Sequence, residues 1–128
     1  MSRRVLLDTH ALIWALSSPR RLPARVARTL RDPGTDVYVS SVATWEIAIK
    51  SALGKIEADL SVIARSARDA DFEELPVSIP HTIRLLGLPN HHRDPFDRLL
   101  IAQALEDQMT IVTHDAVIGR YPVSVLWK

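Results

Sequence analysis

Short apolar runs alternate along the chain with longer segments whose apolar residues recur at helical spacing. Arg3 to Leu7 carries Val-Leu-Leu and reads as a buried strand ending at Asp8. Thr9 to Leu16 reads as a helix that Asp8 or Thr9 can cap, and Pro19 breaks it. Pro23 to Arg31 predicts a second helix, ended by Asp32-Pro33-Gly34. Its apolar stripe, Leu22, Val26 and Leu30, adjoins a basic row of Arg21, Arg25 and Arg28. Val37 to Val39 is a short strand, and Val42 to Leu53 a helix with Gly54 just past its end. Leu60 to Ala70 is helical; Phe72 to Val77 is strand-like, weakened by Pro76. Pro80 to Leu86 predicts a short helix, Pro95 to Asp107 a longer one, and Thr110 to Thr113 a strand. Ala116 to Gly119 is one helical turn, and Val123 to Leu126 a final strand. This alternation predicts an α/β fold: one domain over residues 1–128, with a mainly parallel central sheet flanked by helices.

Sheets of that kind bind ligands beyond the carboxyl ends of their strands. Asp8 stands at the end of the first strand, and Asp115 just past the strand Thr110 to Thr113. Glu46 lies early in a helix, after Ser40, Ser41 and Thr44, and Asp97 lies in Asp94-Pro95-Phe96-Asp97-Arg98. A parallel sheet can bring these four acids to one edge. Clustered carboxylates repel unless a cation relieves them. Hard oxygen donors suit Mg²⁺, with Mn²⁺ as a substitute, and such an ion serves phosphodiester hydrolysis. Each acid also has a purely structural reading. Asp8 can be an N-cap; Asp94 caps a helix with Pro95 at N1 and Asp97 at N3; Glu46 favours a helix dipole; Asp115 suits a turn.

The composition narrows the classes. The chain has 128 residues, a net charge of +1 and no cysteine. A disulfide scaffold, a thiolate metal site and a thiol nucleophile are excluded, and a reducing cytoplasm is the expected compartment. The charge is too small for gripping nucleic acid by electrostatics alone. Asp8 and His10 interrupt the apolar N-terminal stretch, which is too short and polar for a signal peptide, and no stretch suggests a membrane span.

Four segments together carry a family resemblance. They are Leu-Leu-Asp8-Thr9-His10, Ser40-Ser41-Val-Ala-Thr44-Trp-Glu46, His92-Arg-Asp94-Pro-Phe-Asp97-Arg98, and Thr110-Ile-Val-Thr113-His-Asp115. In this order, over nearly the whole chain, they resemble a PIN domain, and above all the ribonuclease toxins of VapBC-type toxin–antitoxin modules. The resemblance implies a metal-dependent endoribonuclease in which Asp8, Glu46, Asp97 and Asp115 are catalytic and bind metal. It places small hydroxyl residues beside the acids, matching Thr9, Ser41 or Ser40, and Thr113, and adds Asp94 as a further acid. It also implies an RNA substrate, a cognate antitoxin that neutralises the enzyme, and a homodimer. An acidic pocket open to RNA would attract a basic antitoxin side chain, with an amphipathic antitoxin segment in a groove around Leu12, Trp14 and Val26, if those residues are not core.

Other features are open to two readings. Arg98 can hold a carboxylate or a phosphate, or make a structural ion pair. The basic row on the second helix is an RNA-facing surface or a solvated face. His91-His92 with Asp94 hints at zinc, but adjacent histidines rarely point at one ion. Trp14 and Trp45 read as core or dimer contacts rather than base-stacking platforms. Two alternatives to a nuclease remain. A phosphoacceptor receiver-like domain wants paired acids and a late lysine, whereas Asp8 stands alone and Lys128 is the last residue. A catalytically silent α/β binding module would tolerate loss of an acid, and none is missing.

Overall fold

The computed structural model describes residues 3–128. Five strands, β1 (Arg3–Leu7), β2 (Thr35–Ser40), β3 (Glu73–Leu75), β4 (Thr110–Val112) and β5 (Val125–Leu126), form one sheet. Six α-helices accompany them: α1 (Thr9–Ser17), α2 (Ala24–Arg31), α3 (Ser41–Ala52), α4 (Leu60–Asp69), α5 (Ile79–Arg84) and α6 (Pro95–Glu106). The strand order is β3-β2-β1-β4-β5, and every pairing is parallel. The chain moves outward from β1 to one edge through β2 and β3, then returns to β4 on the other side of β1. The gap between β1 and β4 is therefore the switch point, where the connections diverge and leave a crevice.

Alternation along β1 divides the core. Val5 and Leu7 face one layer, with Leu12, Val26, Ile47 and Ile63. Leu6 faces the other, with Leu100, Ile101, Met109, Ile111 and Ile118. Leu12 and Val26 are completely buried, so neither lines a surface groove.

Strand ends differ from the apolar pattern for identifiable reasons. β2 starts at Thr35 because Thr35 and Asp36 pair in register with Arg3 and Arg4, polar residues at the open end of the sheet. β3 stops at Leu75, before Pro76, which has no N–H for the ladder. Gly54 follows α3 with φ +70°, as its position predicts. The same left-handed turn ends α4 at Asp71 and α6 at Gln108 without glycine. There the amides of Phe72 and Met109 reach back to the carbonyls of Ala67 and Ala104.

The basic row is not one helical face. Arg21 lies in a 3-10 turn (Pro19–Arg21) ahead of α2, with its guanidinium over the Trp14 ring. Arg25 donates to the carbonyl of Lys128 at 2.8 Å. Among the described residues no helix is long and apolar enough to cross a membrane.

Candidate active site

Asp8 links β1 to α1. Its amide donates to the Val112 carbonyl, extending the β1–β4 pairing by one residue. Its extended backbone lets the side chain cap α1: Oδ1 accepts from the Ala11 amide at 2.8 Å. Oδ2 accepts from the Thr113 hydroxyl at 2.5 Å. That hydroxyl also accepts from the Asp115 amide, and Asp115 Oδ1 accepts from the Val117 amide. The capping and turn readings of Asp8 and Asp115 are thus correct, and the same bonds aim both residues at the crevice.

Glu46 lies on α3 and is buried. The Thr9 hydroxyl donates to Oε1 at 2.5 Å, and Lys50 Nζ, one turn along the helix, pairs with Oε2 at 2.5 Å. Asp94 caps α6, accepting from the amides of Phe96 and Asp97, with Pro95 in the first turn. This puts Asp97 at N3 of α6. Its nearest polar side-chain partner is His92 Nε2, at a long 3.4 Å from Oδ2.

All five acids line one hollow of about 400 Å³ together with Thr9 and Lys50. His10, Trp14 and His114 complete its wall. Electrostatics single out Asp97. Burial, then the neighbouring charges of Asp94, Glu46, Asp115 and Asp8, push its carboxyl up to about 7. Burial also raises Asp8, against the hydrogen bonds from Thr113 and Ala11 that favour its charged form. Lys50 is raised, chiefly by its hydrogen bond to Glu46. One ammonium among five carboxylates leaves the hollow strongly cation-seeking.

The acids ring the hollow rather than converge: among the described residues, no three His, Asp or Glu side chains form a ready-made metal cage. Carboxylate oxygens nevertheless dominate the donors, alongside the Thr9 hydroxyl and the His10 and His114 rings. That set suits a hard cation that takes one or two protein ligands directly and the rest through water.

Some expected residues lie elsewhere. Arg98 neither holds an acid nor faces the hollow; it donates to the Pro89 carbonyl at 2.7 Å and to the Tyr121 hydroxyl. Ser41 lines a separate hollow with Thr44 and Arg68. Ser40 turns inward, donating to Gln103 Oε1 and capping α3 at the Val42 amide. His91 and His92 both pack on Tyr121. Trp45 is exposed and meets Phe96 edge-on, so it is not core. Trp14 is half-buried on the wall of the hollow. Lys50 is a site residue that sequence reasoning missed, and so is the contact of His92 with Asp97. Lys50 had a signal, its i,i+4 spacing from Glu46. His92 had none, because the contact depends on where the loop before α6 lies.

Three likenesses bear on this arrangement. The chain is 26% identical over 113 residues to Ribonuclease VapC22 of Mycobacterium tuberculosis, covering 87% of this chain and 86% of that protein. Its fold superposes on VapBC2 from Rickettsia felis, solved bound to a DNA fragment from their promoter, with a TM-score of 0.70 at 15% identity, covering 98% and 99% of the two chains. FitAcB from Neisseria gonorrhoeae gives a TM-score of 0.63 at 21% identity, covering 95% and 96%. The PIN domain family model matches residues 5–123, from the first buried residue of β1 to the loop before β5, so the chain belongs to the PIN domain family.

Proposed function

We propose that this chain is a metal-dependent endoribonuclease, the toxin of a toxin–antitoxin pair, working with Mg²⁺ or Mn²⁺. The carrying observation is the ring of carboxylates from four separate elements around one hollow at the β1–β4 switch point. Asp8, Glu46, Asp97 and Asp115 would hold the cation, with Asp94 beside them. A divalent ion there supplies Lewis acidity toward a phosphodiester and acidifies water.

The chain's own groups do the positioning. Thr113 and the Ala11 amide fix the rotation of the Asp8 carboxylate, and Thr9 and Lys50 fix that of Glu46. Each carboxylate oxygen so held keeps a further lone pair for a cation or its waters. Asp97 is the least compensated acid, its carboxyl raised to about 7, so it gains most from a cation. The likeness to a protein named a ribonuclease and to VapBC2 supports an RNA substrate and an antitoxin partner for this chain. We assign it a homodimeric state on the same family grounds.

The test is RNA cleavage followed with a melting curve. EDTA abolishes cleavage, and Mg²⁺ or Mn²⁺ restores it. Either ion also raises the melting temperature, since it binds the folded ring and not the unfolded chain. EDTA-resistant cleavage with a melt indifferent to millimolar Mg²⁺ would falsify the metal assignment.

A further inference from the structure

Aromatic rings form one flank of the acid hollow. Trp14 is half-buried, with His10 and His114 exposed beside it at the mouth. Ring centroids lie 6.0 Å apart for His10 and Trp14, 6.3 Å for Trp14 and His114, and 5.4 Å for His114 and Trp127. Trp127 backs the group, 5.8 Å from Trp14, and the Arg21 guanidinium lies 4.5 Å from the centre of the indole. The rings come from α1, the loop after β4 and the chain end after β5.

The capping network does not use these side chains. His10 lies two residues past Asp8 and His114 directly before Asp115, and both line the same hollow as the acids. Exposed planar rings beside a cation-seeking hollow match the two halves of a nucleotide: a phosphate at the acids and a base on the rings. Stacking on aromatic side chains and guanidinium planes is how proteins take up unpaired bases.

We propose that His10, Trp14 and His114, backed by Arg21 and Trp127, form a stacking shelf for a nucleobase next to the scissile phosphate. A base seated there is splayed out of its stack, so the shelf takes an unpaired nucleotide. This assignment rests on the nuclease reading and adds a subsite to it. Trp14 thereby has a role beyond packing, and α1 contributes to substrate positioning as well as to the site's acid.

Two variants test it. His10→Ala/His114→Ala removes only exposed rings; Trp14→Leu removes the indole and is checked by its melting curve. Binding of a short single-stranded oligoribonucleotide is read in EDTA by quenching of tryptophan fluorescence. Initial rates with Mg²⁺ then separate KM from kcat. The double variant weakens binding by about 5- to 100-fold, the loss of one stacked base, and raises KM more than it lowers kcat. An oligonucleotide with an abasic residue at the stacked position binds the wild type equally weakly, and the double variant no worse. The shelf is overturned if the double variant binds and cleaves like the wild type, or if abasic RNA binds as tightly as intact RNA. It is also overturned if the variants lose affinity only for the antitoxin. When the wild type cleaves RNA and Asp97→Asn does not, such a result removes the shelf and leaves the nuclease standing. A wild type that neither binds nor cleaves RNA overturns both.

Discussion

Two polar regions meet α6, one at its start and one towards its end, and they are built on opposite terms. In one, His81 is almost wholly enclosed; its Nδ1 accepts from the Ser78 amide at 3.0 Å, and its Nε2 lies 2.8 Å from Asp107 Oδ2. Gln103, completely buried, accepts from Ser40 and donates toward the Pro76 carbonyl. Donors meet acceptors throughout, and the network ties the starts of α3 and α5 to α6. In the other region, five carboxylates share a hollow with one lysine, and the Asp97 carboxyl is pushed to about 7. A satisfied polar network holds a fold together. A ring of like charges opposes folding, and its persistence points to a cation and to function.

The strongest way to break this comparison is to exchange shape for charge in each region. Asp97→Asn keeps the outline and removes both the repulsion and, on the proposed function, a cation ligand. Cleavage falls by a factor of about 10² or more, as for loss of a group acting on the transition state. The metal-free protein melts a few degrees higher, because the buried repulsion is gone. His81→Ala does the reverse. It leaves the Ser78 amide and Asp107 without their partner and opens a cavity, at roughly 2–3 kcal/mol of stability. Cleavage per folded molecule is unchanged. Parallel assays of melting and cleavage check both signs; an Asp97→Asn protein that cleaves normally, or a His81→Ala protein that is stable but inactive, reverses the assignment.

How legible the two regions were in the sequence follows from how local their contacts are. Asp8, Asp94 with Pro95, and Asp97 could be read because capping spans only a few residues. The parallel sheet followed from alternation, and with it the placement of the acids around one hollow, though not their convergence on one point. The Ser40–Gln103 and Asp8–Thr113 bonds join residues 63 and 105 positions apart, and no local pattern announces them. The choice between Ser40 and Ser41 turned on the phase with which β2 passes into α3, which is set by packing against α6. Arg98 beside Asp97 looked like a partner, but neighbours on a helix do not face each other, and Arg98 turns to Tyr121 instead.

A milder lever is pH. The ordinary value for Asp97 is 3.8, and in the fold it is about 7. Between these values the native state holds a proton that the unfolded chain has released. From this group, stability is therefore fully present at low pH and is lost as pH rises toward 7. Chemical denaturation of metal-free wild type and Asp97→Asn across that window checks the sign: the difference between them grows in favour of the variant as pH rises. Saturating Mg²⁺ flattens the dependence. A difference independent of pH would mean that Asp97 ionises in the fold as it does in water.

The smallest effect is expected at Asp94, which belongs to both descriptions. Its Oδ1 caps α6 through the amides of Phe96 and Asp97, and its charge is the largest neighbouring contribution to raising Asp97. Asn caps as well as Asp, so Asp94→Asn keeps the helix start and removes only the charge. Metal-free stability near neutral pH then rises, but by less than for Asp97→Asn, because only part of the repulsion on Asp97 is relieved and capping is spared. The Asp97 carboxyl moves back toward its ordinary range, and cleavage changes by less than about tenfold, as expected of a charge acting at one remove. Asp94→Ala, by contrast, loses the cap and costs about 1 kcal/mol. Melting curves for the pair separate cap from charge, and the cleavage rate of Asp94→Asn decides the acid's role. A loss as deep as that of Asp97→Asn would place Asp94 among the residues that hold the cation, and would make the cap a by-product of where a ligand had to stand.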